Sequence, residues 1–239
     1  MINFFNNKEK SAGYSMLELL LASAVGSIII AGSYSAYGII GKQQQRLLAF
    51  SEVQSAGMPT VRLIARDMRA AGRIAYDNNM DPVYGVISTP IVITDSGDNC
   101  CDSVIITYDQ GENDDGDIKR CQITYDTDER TDPDRTAIYR TVSTLFTQDG
   151  VSTCTGDSTT DLVTDYVDDL QIAGSDNDAS GNPRIVDIAL LMRSRTMRNK
   201  ESTFTPPDEV IGNYDYSFTD KFHRDVFTMT VNIKNMRKD

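Results

Sequence analysis

The spacing of apolar residues along the chain changes character twice. From Leu19 to Ile40 there is no charged residue, and apolar or small side chains fill every face of a helix. Those 22 residues would rise about 33 Å at 1.5 Å per residue, enough to cross a bilayer core. After Gly41 comes a polar collar of Lys42, Gln43, Gln44, Gln45 and Arg46. Apolar positions then recur at Leu47, Phe50, Val53, Met58, Val61, Ile64, Met68 and Ala71, close to the helical period. The second stretch therefore predicts an amphipathic continuation of the helix with one face on a core. Pro59 predicts a kink or interruption near Gly57-Met58, and Gly72 predicts the stop.

From residue 83 the pattern changes to short β-runs separated by acidic, turn-rich segments: 83–93, 103–108, 120–125, 137–142, 167–172, 185–192 and 225–233. The last run places Phe227, Met229, Val231 and Ile233 on one face, and Thr228, Thr230 and Asn232 on the other. That alternation belongs to a sheet with one face on a core. Residues 199–220, with Pro206-Pro207, read as a long loop. The expected fold is α+β: a long N-terminal helix, transmembrane in its first half, packed on a mainly antiparallel β-sheet head. Four regions follow: a leader at 1–13, a transmembrane helix at 14–41, its amphipathic continuation at 42–73 and a β-rich head at 74–239.

Charge sharpens the division. Residues 1–73 carry a balance of +4 and residues 74–239 one of −16. So acidic a head is poorly suited to nucleic-acid phosphates, and no direct nucleic-acid binding is expected. Lys8 and Lys10 ahead of the apolar span favour a cytoplasmic N-terminus, with the head outside. Glu18 sits at the entrance of the span, where a carboxylate is costly and calls for a partner. Neither an ordinary secretory signal nor a plain anchor accounts for it.

Gly13-Tyr14-Ser15-Met16-Leu17-Glu18 resembles the prepilin motif, in which a peptidase cuts after Gly, the new N-terminal aromatic is methylated and the fifth mature residue is Glu. Tyr14 stands where Phe is commoner. The resemblance implies that cleavage creates an ammonium at Tyr14 which Glu18 of a neighbouring subunit neutralises; buried charges persist when so paired. Four further segments extend the resemblance to PilW-type minor pilins. They are Leu63-Ile64-Ala65-Arg66-Asp67-Met68-Arg69-Ala70-Ala71-Gly72, Leu162-Val163 with Tyr166-Val167-Asp168-Asp169-Leu170-Gln171-Ile172, and the segments 188–194 and 224–231. They also resemble the J-type pseudopilins of type II secretion. The family implies a structural subunit that helps to initiate a type IV filament, in a tip complex with other minor and major pilins. Its further partners would be the prepilin peptidase and an inner-membrane assembly platform. Localisation would be the inner membrane in a single pass with a periplasmic head, then the extracellular filament. A J-type pseudopilin is the alternative of the same class, and a pilin-anchored adhesin or ligand-binding module that of another.

Candidate chemistry in the head is sparse. Four cysteines, Cys100, Cys101, Cys121 and Cys154, allow three complete pairings; outside the cytoplasm structural disulfides are expected, but not between the adjacent Cys100 and Cys101. Asp176, Asp178 and Ser180, then Gly181 and Asp187 at the twelfth position, follow the spacing of a calcium loop, against which Pro183 and the short closing Asp weigh. The preferred reading is a turn between strands, with calcium as the candidate cofactor. Arg62, Arg66, Arg69 and Arg73 share one helix face, a solvated face or an electrostatic contact. His223 has no nucleophile near it in sequence and no catalytic motif is present, so no enzymatic activity is expected.

Overall fold

The computed structural model describes residues 14–77, 79–97, 100–111, 118–131, 134–147, 158–198, 200–207 and 217–235, with side chains left aside at 129–131, 134–135 and 146–147. By its contacts the chain divides into two units, Met1–Gln45 and Arg46–Asp239. Helix α1 covers Met16–Met68.

In the first unit, Ser15 opens the helix. Its Oγ lies 3.4 Å from the Leu17 amide, and its carbonyl accepts from the Glu18 amide at 2.9 Å. The order Ser15-x-x-Glu18 is that of a capping box, and a carboxylate in the first turn also suits the helix dipole. Side chains from Tyr14 to Gln45 are exposed all round apart from half-covered Gly26. The helix is long and apolar enough here to cross a membrane.

In the second unit, the remainder of α1 packs on a seven-stranded sheet of order β1-β2-β3-β4-β5-β6-β9, every neighbouring pair antiparallel. The strands are β1 Ile91–Thr94, β2 Ser103–Gln110, β3 Lys119–Thr131, β4 Asp134–Thr147, β5 Thr159–Asn177, β6 Pro183–Arg193 and β9 Arg224–Asn232. A separate pair, β7 Ser202–Phe204 and β8 Phe218–Asp220, is inserted between β6 and β9. The architecture is the expected α+β one. Val53, Val61, Ile64 and Met68 of the helix join Ile106, Ile123, Leu170, Ile188 and Val231 of the sheet in one core. Each such fully buried aliphatic side chain contributes about 1.5–3 kcal/mol relative to exposure.

The helix ends at Met68, and Gly72 completes the stop at φ +70°, with its amide donating to the Thr107 carbonyl at 3.0 Å. Pro59 does not interrupt the helix. A proline costs a helix about 3 kcal/mol, and burial of Val53, Val61, Ile64 and Met68 on either side of it outweighs that. Leu47 and Phe50, expected on the core face, are exposed; Ala49 and Gly57 occupy that face instead. A Cβ on Gly57 would fall 2.1 Å from the Phe227 ring, so the helix meets β9 at a glycine.

Every expected strand overlaps an observed one, although only the end of 83–93 is extended. Two results differ. β3 and β4 pair as far as Thr131 and Asp134, a long hairpin through charged, threonine-rich sequence. Residues 199–220, expected as loop, contribute β7 and β8.

Candidate functional site

The residues singled out at the N-terminus occupy the first turn of α1 and the residues before it. Gly13 lies outside the described residues. Tyr14 is 85% exposed, and Glu18 is exposed with no side-chain partner among the described residues. Exposed apolar side chains, Leu17, Leu19, Leu20 and Leu21 among them, flank that carboxylate; chemically, this end can accept a cation from outside the chain.

The calcium spacing folds as a hairpin. Asp178 Oδ1 accepts from the Ser180 and Asn182 amides at 2.9 and 2.8 Å, closing the turn between β5 and β6. Those amide bonds, the Asn182 amide foremost, hold its carboxyl below the usual carboxylate range. Asp176 has φ +51° at the end of β5. Asp187 is elsewhere: on β6 it is opposite Ala173, and its Oδ1 accepts from Thr230 Oγ1 at 2.5 Å. Pro183, opposite Asn177, marks the start of the strand, so Asp187 lies about 13 Å further along it. The structure brings Asp178 and Ser180 together in a turn and leaves Asp187 outside it. A calcium loop needs all of them around one ion, and the segment has instead the arrangement of a turn between strands.

The structure brings the sulfurs of the adjacent Cys100 and Cys101 together, where no pairing between the two was expected. Register supplies the reason. Cys121 on β3 stands opposite Tyr108, five residues along β2 from Ser103, about 17 Å from the end that carries Cys101. A disulfide bridges Cα atoms at most about 7 Å apart. Cys121 is itself disulfide-bonded, and Cys154 lies outside the described residues.

Sequence reasoning missed the buried charges that fasten the helix and the strand ends. Asp67, in the last turn of α1, accepts at Oδ2 from Tyr125 Oη and Arg140 Nε, both at 2.7 Å, and at Oδ1 from Arg66 Nε at 3.0 Å. Burial first, and then the Asp67 carboxylate, push the Tyr125 hydroxyl far above its ordinary value, so it remains a donor. Arg120 is clamped by Asp109 at 2.7 and 3.1 Å, and by the carbonyls of Tyr84 and Gly85 at 3.0 and 2.7 Å. Asp168 accepts from Arg224 Nε at 2.5 Å, and Arg224 Nη1 reaches Asp220 at 2.7 Å. Burial pushes the Asp168 carboxyl up, only partly offset by Arg224 and Arg193. In an acidic sequence these aspartates look like their exposed neighbours; only Asp67, within an apolar helical stripe, carried a signal.

One cleft, of about 260 Å³, lies between the helix at Glu52 and Ser55 and the strand ends at Asp165, Tyr166, Arg193 and Arg195. Tyr166 is an extra residue in β5 at φ +62°, a strained position for an aromatic side chain, and Arg195 stacks over its ring at 5.1 Å. Beyond this cleft, His223 is half-buried with Nδ1 3.2 Å from Arg198 Nη2, and its ring tilts against Phe50. Burial, then the Arg198 charge, lower its pKa from the usual 6.5. Arg62 and Arg69 are exposed, whereas Arg73 donates to the Asp109 carbonyl at 2.9 Å. No family model, curated protein or solved structure matches this chain.

Proposed function

We propose that this chain is a PilW-like minor pilin, a structural subunit that helps to start a type IV filament in a complex with other pilins. The observation that carries the reading is the form of α1. One unbroken helix of 53 residues begins with a stretch free of charge from Leu19 to Ile40, carries in its first turn a carboxylate with no side-chain partner among the described residues, and finishes on a β-rich head. Cleavage after Gly13 would leave an ammonium at Tyr14, and Glu18 of an adjacent subunit would pair with it in an apolar setting. Ala22, Gly26, Ala31, Gly32 and Gly38 would let such helices approach closely. The head is then a contact surface for other subunits, and its acidity would set which faces meet.

The test is intact-mass spectrometry of the chain recovered from membranes and from sheared filaments. A mass lacking residues 1–13 and carrying one added methyl at Tyr14 is expected. Gly13→Leu should give only uncut precursor. An uncut wild-type chain, or processing of Gly13→Leu, would sink the proposal.

A further inference from the structure

The cysteine pair has a neighbour that its sequence position conceals. The Sγ atoms of Cys100 and Cys101 and a carboxylate oxygen of Asp169 lie within 4.8 Å of one another. Asp169 is on β5, almost seventy residues away in the chain, and is 1% exposed. Gln171 Nε2 donates to both of its oxygens, at 3.0 and 3.2 Å, and so orients the carboxylate. The cysteine segment is pinned over the same strand. The Asp102 amide donates to the Leu170 carbonyl at 2.7 Å, and Asp102 Oδ2 accepts from the Ile172 amide at 2.8 Å. Cys101 faces the core while Cys100 is exposed, so a reagent can reach the pair from one side.

Two sulfurs and one carboxylate, convergent at the edge of a core, form the donor set of a thiophilic divalent cation. Thiolates bind zinc-type ions at about 2.3 Å and carboxylates at about 2.0–2.2 Å, with a fourth position left to water. Tetrahedral donors at those lengths stand about 3.5 Å apart, so side-chain adjustment alone could close the set. Sulfur ligation selects such ions over calcium or magnesium. We propose that Cys100, Cys101 and Asp169 form a redox-gated site for a thiophilic divalent metal ion, with Gln171 as the positioning residue.

In the oxidised chain the sulfurs are joined and the site is closed. A dithiol reductant transfers two electrons and two protons to the pair, breaking the S–S bond to give two thiols, and leaves as its own disulfide. The metal ion then displaces both thiol protons to solvent and binds two thiolates and the Asp169 carboxylate.

Cadmium is a suitable probe, because thiolate ligation produces a charge-transfer absorption band. The full chain carrying Cys121→Ser and Cys154→Ser, so that Cys100 and Cys101 are its only cysteines, is reduced in detergent micelles with dithiothreitol, desalted without air and titrated with Cd²⁺ beside its oxidised form. One ion per reduced chain with the band, and none per oxidised chain, is expected. In the same background Cys100→Ser, whose side chain is exposed, should keep the circular dichroism of the head and lose the band. Asp169→Asn should keep the band and bind at least about tenfold more weakly. No band in the reduced chain, a band in reduced Cys100→Ser, or unchanged affinity in Asp169→Asn would each overturn the site.

Discussion

Glu18 and Asp67 are carboxylates at opposite ends of one helix, and their surroundings could hardly differ more. Glu18 opens α1 amid exposed apolar side chains and has no partner among the described residues. Asp67 closes it, buried, with Tyr125, Arg140 and Arg66 all donating to it. The apolar residues around them differ in the same way. Near Glu18 they surround the whole helix; near Asp67 they form a stripe that the sheet covers. A helix apolar on every side draws its partners from outside the chain, whereas a striped helix finds them within its own fold. The first end presents apolar surface that no described residue covers, and the second is covered by its own fold.

Removing each carboxylate gives the sharpest contrast. Asp67→Ala strips the anion from Arg140 and takes from the buried Tyr125 hydroxyl its acceptor, so the head should lose about 3 kcal/mol of stability in urea unfolding. Glu18→Ala should leave that unfolding curve where it was, while incorporation into filaments falls. Equal destabilisation by the two would erase the distinction.

Glycines test the same divide with a smaller effect. Gly57→Ala pushes a methyl into the Phe227 ring and should cost the head about 1–3 kcal/mol, measured by thermal unfolding. Gly32→Ala meets nothing within 4 Å in the chain and should leave the head unchanged. Substitution of Gly32 by a bulky residue should instead reduce assembly, as a steric block between helices would.

Acidity gives the smallest effects, and they run in opposite directions. His223 has a folded pKa below the ordinary 6.5, because burial and then Arg198 oppose its protonation. Its contribution to stability is full above about 6.5 and is lost as pH falls through the lower folded value. Asp168 has a folded pKa above its ordinary value through burial. Its contribution is full below the usual carboxylate range and is lost as pH rises through the raised value. In stability profiles against pH, His223→Gln should flatten the loss just below pH 6.5, and Asp168→Asn the loss at rising pH. A profile of the His223→Gln head that still matches the wild type there would place the titration elsewhere.

Local pattern carried much of the architecture. The charge-free run, Glu18 at its entrance, the periodic stretch ending at Gly72 and the alternation in β9 are readable because each depends on residues a few positions apart. Its limits lie where distant residues decide. Pro59 remains helical because the sheet buries the residues around it. The β3–β4 hairpin extends through polar sequence because each strand supplies the other's hydrogen bonds. Acidic spacing suggested calcium, yet strand register carries Asp187 away from Asp178.

What the sequence determined alone is thus the apolar first part of α1: length, apolarity and the placed carboxylate are properties of consecutive residues, which need no partner within the chain to be expressed. The tertiary structure decided which charges are buried, which cysteines meet and which carboxylate joins them. Asp109, Asp168 and Asp169 are distinguished from some thirty other acidic residues only by where the sheet puts them. Burial and pairing are relations between strands far apart in sequence, and their energies exist only once those strands have come together.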